Sequence, residues 1–285
     1  MTNSPFIFFG TPGVAEKTLS KLIESGVVPA LVVTNPDSRR GRGMELQPSP
    51  VKVLAESQNI PVYTPDTLDA SAQEKILAEH PEYAIVVAYG KILPEVLITA
   101  FPKGILNVHY SLLPKYRGAT PTESALLHGD EVTGVTVQKM VYKLDAGDIV
   151  AQRTTPIAPD ETVCELRPRL IDLGAELLVE TLPEYLKGNI ELRSQDESET
   201  THSGKLKKED GLLDLDAPDE ENWNKYRAYK EWPGTYLFAF RNGKEVRLKI
   251  TDATLGNGGE FIIRRVIPEG KKEIDYETFV RSLSI

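Results

Sequence analysis

The chain has 285 residues, and since a domain usually takes about 100 to 200 residues, this length predicts one large domain and one small one. Hydrophobic residues make up 40% and charged residues 26% of the chain, which is typical of a soluble globular protein and excludes a disordered or fibrous one. No stretch approaches the roughly 18 apolar residues that a membrane-spanning helix needs. The single cysteine, Cys164, excludes a disulfide framework and a cysteine-ligated zinc site. The N-terminal residues lack the basic region and the cleavage site of a signal peptide, so we expect a cytoplasmic protein.

The first two thirds of the sequence alternate short apolar runs with amphipathic segments. The run FIFFG at residues 6 to 10 predicts a buried strand, and residues 14 to 25 carry apolar side chains at helical spacing. This alternation predicts an α/β fold with a Rossmann-like, mostly parallel sheet that is covered by helices on both faces. Further strands are expected at residues 30–34, 61–63, 83–89, 104–109, 134–140 and 148–154, and further helices after residue 49, near 73–79, after residue 120 and at 161–187.

Two of the expected helices begin with recognisable capping residues. Ser49 precedes Pro50, and serine is a favoured N-cap residue while proline fits the first helical position. Thr120 stands three residues before Glu123, the spacing of a capping box, in which each side chain bonds the backbone N–H of the other residue. Both helices are therefore expected to start at these positions.

The last third of the chain differs in composition. Residues 191–221 carry 4 basic and 11 acidic side chains, which predicts a linker between a catalytic domain at residues 1–190 and a small domain at 222–285. The pair Asn242-Gly243 between two β-rich runs predicts a hairpin, and a third strand follows it. The small domain carries 12 basic and 8 acidic side chains, so it could bind a polyanion, the alternative being a solvated basic surface.

The fold class indicates where a ligand should bind. In open α/β sheets, ligands lie at the carboxyl ends of the strands, near the switch in strand order. The first such turn, from Gly10 to Gly13, lacks the glycine-rich pattern that brings a backbone close to a pyrophosphate, and the sequence has no P-loop motif. The pattern therefore disfavours NAD, FAD and ATP as ligands.

A cluster of unusual residues lies at the end of the strand expected at 104–109. Asn107 and His109 are two residues apart, so in a strand their side chains point to the same side. An amide donor and an imidazole at the carboxyl edge of a sheet suit the oxyanion that forms when a carbonyl-like carbon is attacked, with histidine as proton carrier or second donor. The alternative is a polar strand end with a capping asparagine.

A carboxylate for this cluster is found later in the sequence. Asp145 precedes Ala146-Gly147 in a turn between two expected strands, where it could orient His109 or accept a proton through water. Asp148 is the competing candidate, although its position at the start of a strand suits a structural role. The four histidines show no H-x-H or H-x-x-x-H spacing, so we expect no metal site.

Taken together, these segments resemble the formyltransferases that use 10-formyltetrahydrofolate. The element S-L-L-P-x-x-x-G, from Ser111 to Gly118, is the most specific string, and the resemblance covers roughly residues 5 to 190. It implies the formyltransferase fold and a catalytic trio formed by Asn107, His109 and Asp145. The matching segments are FFGTP near the start, VVAYGKILP at 86–94, NVHYSLLPKYRGATP at 107–121 and TGVTVQKMVYKLDAGDIV at 133–150.

The resemblance also implies 10-formyltetrahydrofolate as cosubstrate and no metal. The folate is expected in a pocket walled by residues 87–93 and by the turn around 140–145, where backbone groups and apolar contacts hold it. The residues implied for this pocket are Val87, Ala88, Tyr89, Gly90, Ile92, Leu93, Ser111, Leu112, Leu113, Pro114 and Gly118.

Other segments resemble the branch of this family that formylates methionyl-tRNA. Residues 36–56 are similar to the loop and helix that enter the acceptor arm, and residues 205–215 and 231–238 are similar to the start of a C-terminal β-barrel that binds tRNA. The resemblance implies formyl transfer to the amino group of initiator methionyl-tRNA in translation initiation, by a monomer that does not bind membranes. The implied tRNA contacts are Arg39, Arg40, Arg42, Lys205, Lys230, Arg247 and Lys249.

The sequence departs from that branch at two points. About a dozen residues separate the second and third strands of the C-terminal domain, where relatives have extra strands, so its β-barrel-like fold is expected to be shortened. Tyr110 occupies a position that is usually small, which is expected to narrow the pocket. Two alternatives stay open: transfer to an amino-sugar nucleotide or another small amine, and a weakly catalytic module that binds folate or RNA.

Overall fold

The computed structural model describes residues 4–40, 43–241 and 243–283. The strands, in chain order, are β1 (Phe6–Gly10), β2 (Leu31–Val33), β3 (Ser38–Arg40), β4 (Glu45–Gln47), β5 (Val62–Tyr63), β6 (Tyr83–Val87), β7 (Ile105–His109), β8 (Arg117–Gly118), β9 (Val132–Lys139), β10 (Ile149–Pro156), β11 (His202–Ser203), β12 (Tyr236–Arg241), β13 (Lys244–Leu255), β14 (Phe261–Pro268) and β15 (Ile274–Asp275). The helices are α1 (Gly13–Glu24), α2 (Pro50–Ser57), α3 (Ala70–Leu77), α4 (Glu95–Thr99), α5 (Pro121–Leu127), α6 (Val163–Lys187), α7 (Asp219–Ala228) and α8 (Tyr276–Arg281).

The central sheet contains seven strands of the described chain, in the order β10-β9-β7-β6-β1-β2-β5. Strands β5, β2, β1, β6 and β7 are parallel neighbours, and β9 runs antiparallel to β7. This confirms the expected mostly parallel α/β sheet. The strand order reverses between β1 and β6, so the carboxyl ends of these strands and of β7 border the crevice where such folds bind ligands.

Alternating side chains of the central strands fill a core on one face of this sheet. Ile7 and Phe9 on β1 point to the same side and are fully buried, together with Ile105 on β7 and Leu97 on α4. Burying a side chain of this size contributes about 1.5–3 kcal/mol to stability. The core therefore fixes β7 within the sheet, and with it the polar residues at its carboxyl end.

The two predicted helix starts have different outcomes. Ser49 caps α2 as expected, since its Oγ accepts a hydrogen bond from the backbone N of Lys52 at 3.0 Å. The prediction of a capping box at α5 is wrong. Among the described residues, the Thr120 side chain accepts no hydrogen bond from the first turn of the helix, and its hydroxyl donates to a backbone carbonyl instead. Glu123 is buried and binds the guanidinium of Arg167 at 2.6 Å, because a charged partner gives a stronger bond than a backbone N–H.

By packing, the chain forms two compact units. The first unit contains residues 1–117, 134–154 and 168–202, and the second contains residues 118–133, 155–167 and 203–285. The second unit thus includes α5 and the start of α6 from the middle of the sequence. The domain boundaries at residues 190 and 221 stay a prediction. Among the described residues, every helix is too short or too polar to span a lipid bilayer.

The second unit carries an antiparallel sheet of four strands within the described residues, in the order β12-β13-β14-β15. Strands β12 and β13 form the expected hairpin: Arg241 pairs with Lys244, and Gly243 adopts a φ of 71° that favours glycine. Asn242, the other residue of the turn, lies outside the described residues. One face of this sheet packs with α7 and α8 around a buried core that contains Trp223.

Candidate active site

Asn107 and His109 lie at the carboxyl end of β7, with one residue between them. The amide Nδ2 of Asn107 donates to the carbonyl oxygen of Val86 on β6 at 3.2 Å. His109 is buried, and its Nε2 lies 2.9 Å from the carbonyl oxygen of Tyr116. Because a carbonyl oxygen only accepts, Nε2 carries a proton, and in the neutral ring Nδ1 holds the lone pair.

Asp145 approaches the same imidazole from the turn between β9 and β10. Its Oδ2 lies 3.6 Å from His109 Nδ1, and the two side chains are 13% and 7% exposed. Asp145 has a φ of 47°, a left-handed conformation that costs a non-glycine residue about 1–3 kcal/mol. The competing carboxylate, Asp148, accepts a hydrogen bond from Ser194 Oγ at 3.0 Å. Across the described residues, no group of three His, Cys, Asp or Glu side chains could hold a metal ion.

One side chain that the sequence pattern did not single out connects these residues. Gln138 on β9 stands directly opposite Asn107, and its Nε2 lies 3.3 Å from Asn107 Oδ1 and 3.0 Å from Asp145 Oδ1. Its Oε1 accepts a hydrogen bond from the backbone N of Gly147 at 3.1 Å. The side chain is 1% exposed. Its signal in the sequence was weak, because a polar residue two positions after Thr136 fits the ordinary alternation of apolar and polar side chains in a strand.

The Ser111–Gly118 motif forms the loop that follows β7. Ser111 Oγ donates to the carbonyl oxygen of Lys115 at 2.6 Å, and the Ser111 carbonyl accepts from Thr136 Oγ1 at 2.7 Å. Ser111 and Leu113 are buried, so their side chains shape the loop from within. Folate contact by this loop stays a prediction for Ser111, Leu112, Leu113, Pro114 and Gly118.

Tyr110 was expected to narrow the pocket. Its ring packs near Gly174 on α6 instead, since a Cβ at Gly174 would lie 3.3 Å from a ring carbon of Tyr110. Burial raises the pKa of the Tyr110 hydroxyl. The large side chain thus contributes to the packing of the sheet against α6.

The residues expected to wall a pocket after β6 divide by burial. Burial raises the pKa of the Tyr89 hydroxyl to about 12, while the Tyr89 carbonyl accepts hydrogen bonds from Thr11 and Asn35. The exposed members are the ones able to contact a ligand directly, and the buried members support them from the core. The buried members are Val87, Tyr89 and Leu93, and the exposed members are Ala88, Gly90 and Ile92.

The arginines expected to contact tRNA lie in and after β3. This strand pairs with β4 to form a hairpin, in which Arg39 Nη1 donates to the carbonyl oxygen of Met44 at 3.2 Å. The backbone of Arg40 ends β3, whereas Arg42 lies outside the described residues. Met44 and Leu46 are exposed apolar residues of the same hairpin. Its described part thus presents one arginine beside apolar side chains, and its contact with tRNA stays a prediction.

The four basic residues expected to contact tRNA in the second unit differ in their surroundings. Lys230 Nζ donates to a backbone carbonyl at 2.9 Å, and the Arg247 guanidinium lies 3.9 Å from the centre of the Tyr236 ring. Lys249, opposite Tyr236 in the β12–β13 register, is exposed, and the exposed Lys205 lines an open groove of about 440 Å³. Lys205 and Lys249 therefore present their charges to solvent.

Two family models match this sequence. The model described as "Formyl transferase" matches residues 3–182, and the one described as "Formyl transferase, C-terminal domain" matches residues 205–260. The chain belongs to the formyl transferase family. The first match contains Asn107, His109 and Asp145.

The relatives agree with this assignment. The methionyl-tRNA formyltransferase of Thermotoga maritima is 42% identical over 255 residues, which cover 89% of this chain and 81% of that protein. The methionyl-tRNA formyltransferase of Pelobacter propionicus is 38% identical over 305 residues, which cover 100% of this chain and 95% of that protein. The crystal structure of an N-formyltransferase from Helicobacter canadensis, in complex with folinic acid and dTDP-3-aminofucose, matches with a TM-score of 0.66 at 20% identity, covering 89% of this chain and 88% of that chain. At this identity the likeness shows the fold alone.

Proposed function

We propose that this protein transfers the formyl group of 10-formyltetrahydrofolate to the α-amino group of methionine on initiator tRNA. The observation that carries the proposal is the identity of 42% to a methionyl-tRNA formyltransferase over 89% of the chain. The sugar N-formyltransferase matches at 20% identity, a likeness of fold that does not favour an amino-sugar acceptor. A cytoplasmic location is part of the proposal, because charged initiator tRNA is used there.

The bond between the amine and the formyl carbon forms as the bond from that carbon to N10 of the folate breaks, so the amine loses a proton and the departing tetrahydrofolate nitrogen gains one. We assign His109 to accept the proton from the amine and to pass it to that nitrogen. The Tyr116 carbonyl accepts the Nε2–H of the ring. Nδ1, which faces Asp145, is therefore the nitrogen that can accept the proton. Once Nδ1 is protonated, one N–H of the imidazolium donates to the Tyr116 carbonyl and the other faces the Asp145 carboxylate. Asp145 thus offers its carboxylate to the N–H that forms on Nδ1 during the transfer.

Asn107 is assigned to the oxygen of the transferred formyl group, where negative charge develops. Its amide nitrogen has two N–H groups, of which one donates to the carbonyl oxygen of Val86. The second is the donor we assign to the formyl oxygen. Gln138 holds Asn107 Oδ1 at 3.3 Å, so the amide keeps its nitrogen on the same side. Loss of one such donor typically lowers the rate about 100- to 1,000-fold.

The cosubstrate supplies an electrophilic formyl carbon, and the residues around the trio fit a folate. Ile92 and Leu144 lie in the loops after β6 and β9 and are 83% and 66% exposed, which suits contact with a flat pterin ring. Ala88 and Gly90 have left-handed backbones in the exposed loop after β6, where their peptide groups suit its polar edge. These two loops would hold the cosubstrate near Asp145.

The acceptor is a polyanion, and basic surfaces on this chain are assigned to its phosphates. Residues 222–285 carry 12 basic against 8 acidic side chains, and Lys205 and Lys249 are exposed. Contacts of this kind position the RNA backbone and carry little sequence information. The β3–β4 hairpin with Arg39 and Arg40 is assigned to the acceptor arm on the strength of the sequence resemblance alone, and so is Arg42, which lies outside the described residues.

The test compares acceptors. The purified protein is incubated with 10-formyltetrahydrofolate and either methionyl initiator tRNA or an amino-sugar nucleotide, and formylated product is measured in each. We expect formylmethionyl-tRNA and no formylated sugar. A higher kcat/KM for the amino-sugar nucleotide than for methionyl-tRNA would show that the sugar is the acceptor and would contradict the proposal. Folate or RNA binding without transfer to either acceptor would favour the weakly catalytic module.

A further inference from the structure

The stretch after α6, which the composition predicts to be linker, bonds directly to the turn that carries Asp145. The side-chain amide of Gln195 donates from Nε2 to the carbonyl oxygens of Asp145 at 2.8 Å and Gly147 at 2.7 Å. Its Oε1 accepts from Nε and Nη2 of Arg117, at 3.0 and 2.8 Å. One amide thus joins the Asp145 turn to the end of the Ser111–Gly118 loop.

The same stretch also holds the residue that anchors His109. Thr201 Oγ1 accepts from the backbone N of Tyr116 at 2.8 Å, and the Thr201 carbonyl accepts from the backbone N of Arg117 at 2.9 Å. Tyr116 has a φ of 59°, which is costly for a bulky residue and needs such support. The Tyr116 carbonyl in turn accepts from His109 Nε2.

A charged link completes the connection between the two loops. Glu197 Oε1 binds Arg117 Nη2 at 2.9 Å, and its Oε2 binds Lys143 Nζ at 2.8 Å. Arg117 is 1% exposed, so its position is defined by these partners, while Lys143 stands two residues before Asp145. Residues 195 to 201 therefore contact both loops, on the Asp145 side and on the His109 side.

We propose that the 195–201 segment positions the catalytic pair, with Gln195 and Thr201 as positioning residues that set the separation between His109 Nδ1 and Asp145 Oδ2. The inference rests on the proposed function, because formyl transfer is its readout. A displacement of about 1 Å at a reacting group can cost about 100-fold in rate. Because His109 and Asp145 are assigned to the chemical step, such a displacement lowers kcat and leaves KM largely unchanged.

The experiment uses the full chain and two kinds of substitution. Gln195→Met keeps the length of the side chain and removes its hydrogen bonds, and Thr201→Val keeps the shape and removes the hydroxyl. We expect each to lower kcat for methionyl-tRNA formylation about 10- to 100-fold, with KM for both substrates within about twofold. Thr201→Ser restores the acceptor and is expected to restore kcat. Ser194→Ala is the matched control, because its hydroxyl bonds Asp148 instead of the Asp145 turn.

The outcomes separate this inference from the proposed function. An unmodified chain that does not formylate methionyl-tRNA would contradict the proposed function and remove the basis for the positioning role. An active chain whose Gln195→Met and Thr201→Val forms keep their kcat would overturn the positioning role alone. Equal kcat values in Thr201→Val and Thr201→Ser would also overturn the positioning role. If Gln195→Met fails to fold, the comparison of the two Thr201 variants decides the matter.

Discussion

Asn107 and Gln138 stand opposite each other across the antiparallel β7–β9 pair, with 3.3 Å between Asn107 Oδ1 and Gln138 Nε2. The same nitrogen of Gln138 lies 3.0 Å from Asp145 Oδ1. One buried amide thus orients both the side chain assigned to the formyl oxygen and the carboxylate that faces His109. The geometry of the trio therefore depends on a residue outside it.

Replacing this amide should impair both activity and stability. Gln138→Met keeps the length of the side chain but leaves Asn107 Oδ1 and the backbone N of Gly147 without their partner. We expect kcat to fall about 10- to 100-fold, since Asn107 and Asp145 lose their orientation. An unsatisfied buried polar group costs about 1–3 kcal/mol, so the free energy of unfolding should fall by that order. Steady-state kinetics and denaturant unfolding measure the two effects.

Gln73→Met is the control for this change. Gln73 Nε2 also donates a hydrogen bond, to the carbonyl oxygen of Leu68 at 2.8 Å, but it lies on α3 and has no contact with the trio. The Gln73→Met variant should lose about 0.5–1.5 kcal/mol of unfolding free energy and keep its kcat. Equal kcat in Gln138→Met and the unmodified chain would show that Gln138 has no part in orienting the site.

Much of the fold and part of the site could be predicted from local sequence patterns. Strand periodicity is enough to place Asn107 and His109 on one side of a strand. The Ala146-Gly147 turn and the family resemblance, rather than periodicity, indicated that Asp145 belongs with them. Gln138 could not be found this way, because its role follows from the β7–β9 register, which sequence periodicity does not specify. Gln195 lies 50 residues after Asp145, and a bond over that separation leaves no local signal.

The last residue of the motif loop is constrained by its backbone. Gly118 has a φ of 123°, and a Cβ there would lie 2.1 Å from the carbonyl oxygen of Ser203. Gly118→Ala should therefore lower the free energy of unfolding by about 1–3 kcal/mol or more, from strain and from the clash. Gly204→Ala is the control, because a Cβ there meets no atom within 4 Å. Equal unfolding midpoints for the two variants would contradict this account of Gly118.

The contribution of the second unit to RNA binding can be measured as a salt dependence. Lys249 is exposed on the same sheet face as Tyr236. If it neutralises a phosphate, Lys249→Ala should weaken tRNA binding and lower the slope of log Kd against log salt concentration by about one. Lys17→Ala, an exposed lysine on α1, should leave the slope unchanged. Identical slopes for the Lys249 variant and the unmodified chain would show that Lys249 does not contact RNA.

The stability that the ion pairs of Glu197 contribute should depend on pH. Hydrogen bonds from Arg117, and then from Lys143, lower the pKa of this carboxyl from 4.5 to about 2. Because the pKa of Glu197 is lower in the folded chain than in the unfolded chain, the ionised carboxylate stabilises the fold at pH values above the unfolded pKa. This stabilisation is lost as the pH falls through about 2. The unmodified chain should therefore unfold at a higher temperature than Glu197→Gln above pH 4.5, with the difference shrinking toward pH 2. Because Glu197 is exposed, the difference in unfolding temperature should be small and should shrink in high salt. A difference that does not change with pH would contradict the assignment.

The most direct test of the central claim is the single-turnover rate of formyl transfer from saturating 10-formyltetrahydrofolate to methionyl initiator tRNA, measured for the unmodified chain, Asp145→Asn and Asp148→Asn. Asp145 faces His109 Nδ1, whereas Asp148 binds Ser194. We predict rapid transfer by the unmodified chain, a loss of about 100-fold or more in Asp145→Asn, and a rate within about threefold of the unmodified chain in Asp148→Asn. Normal transfer by Asp145→Asn, or no transfer to methionyl-tRNA by the unmodified chain, would contradict the account.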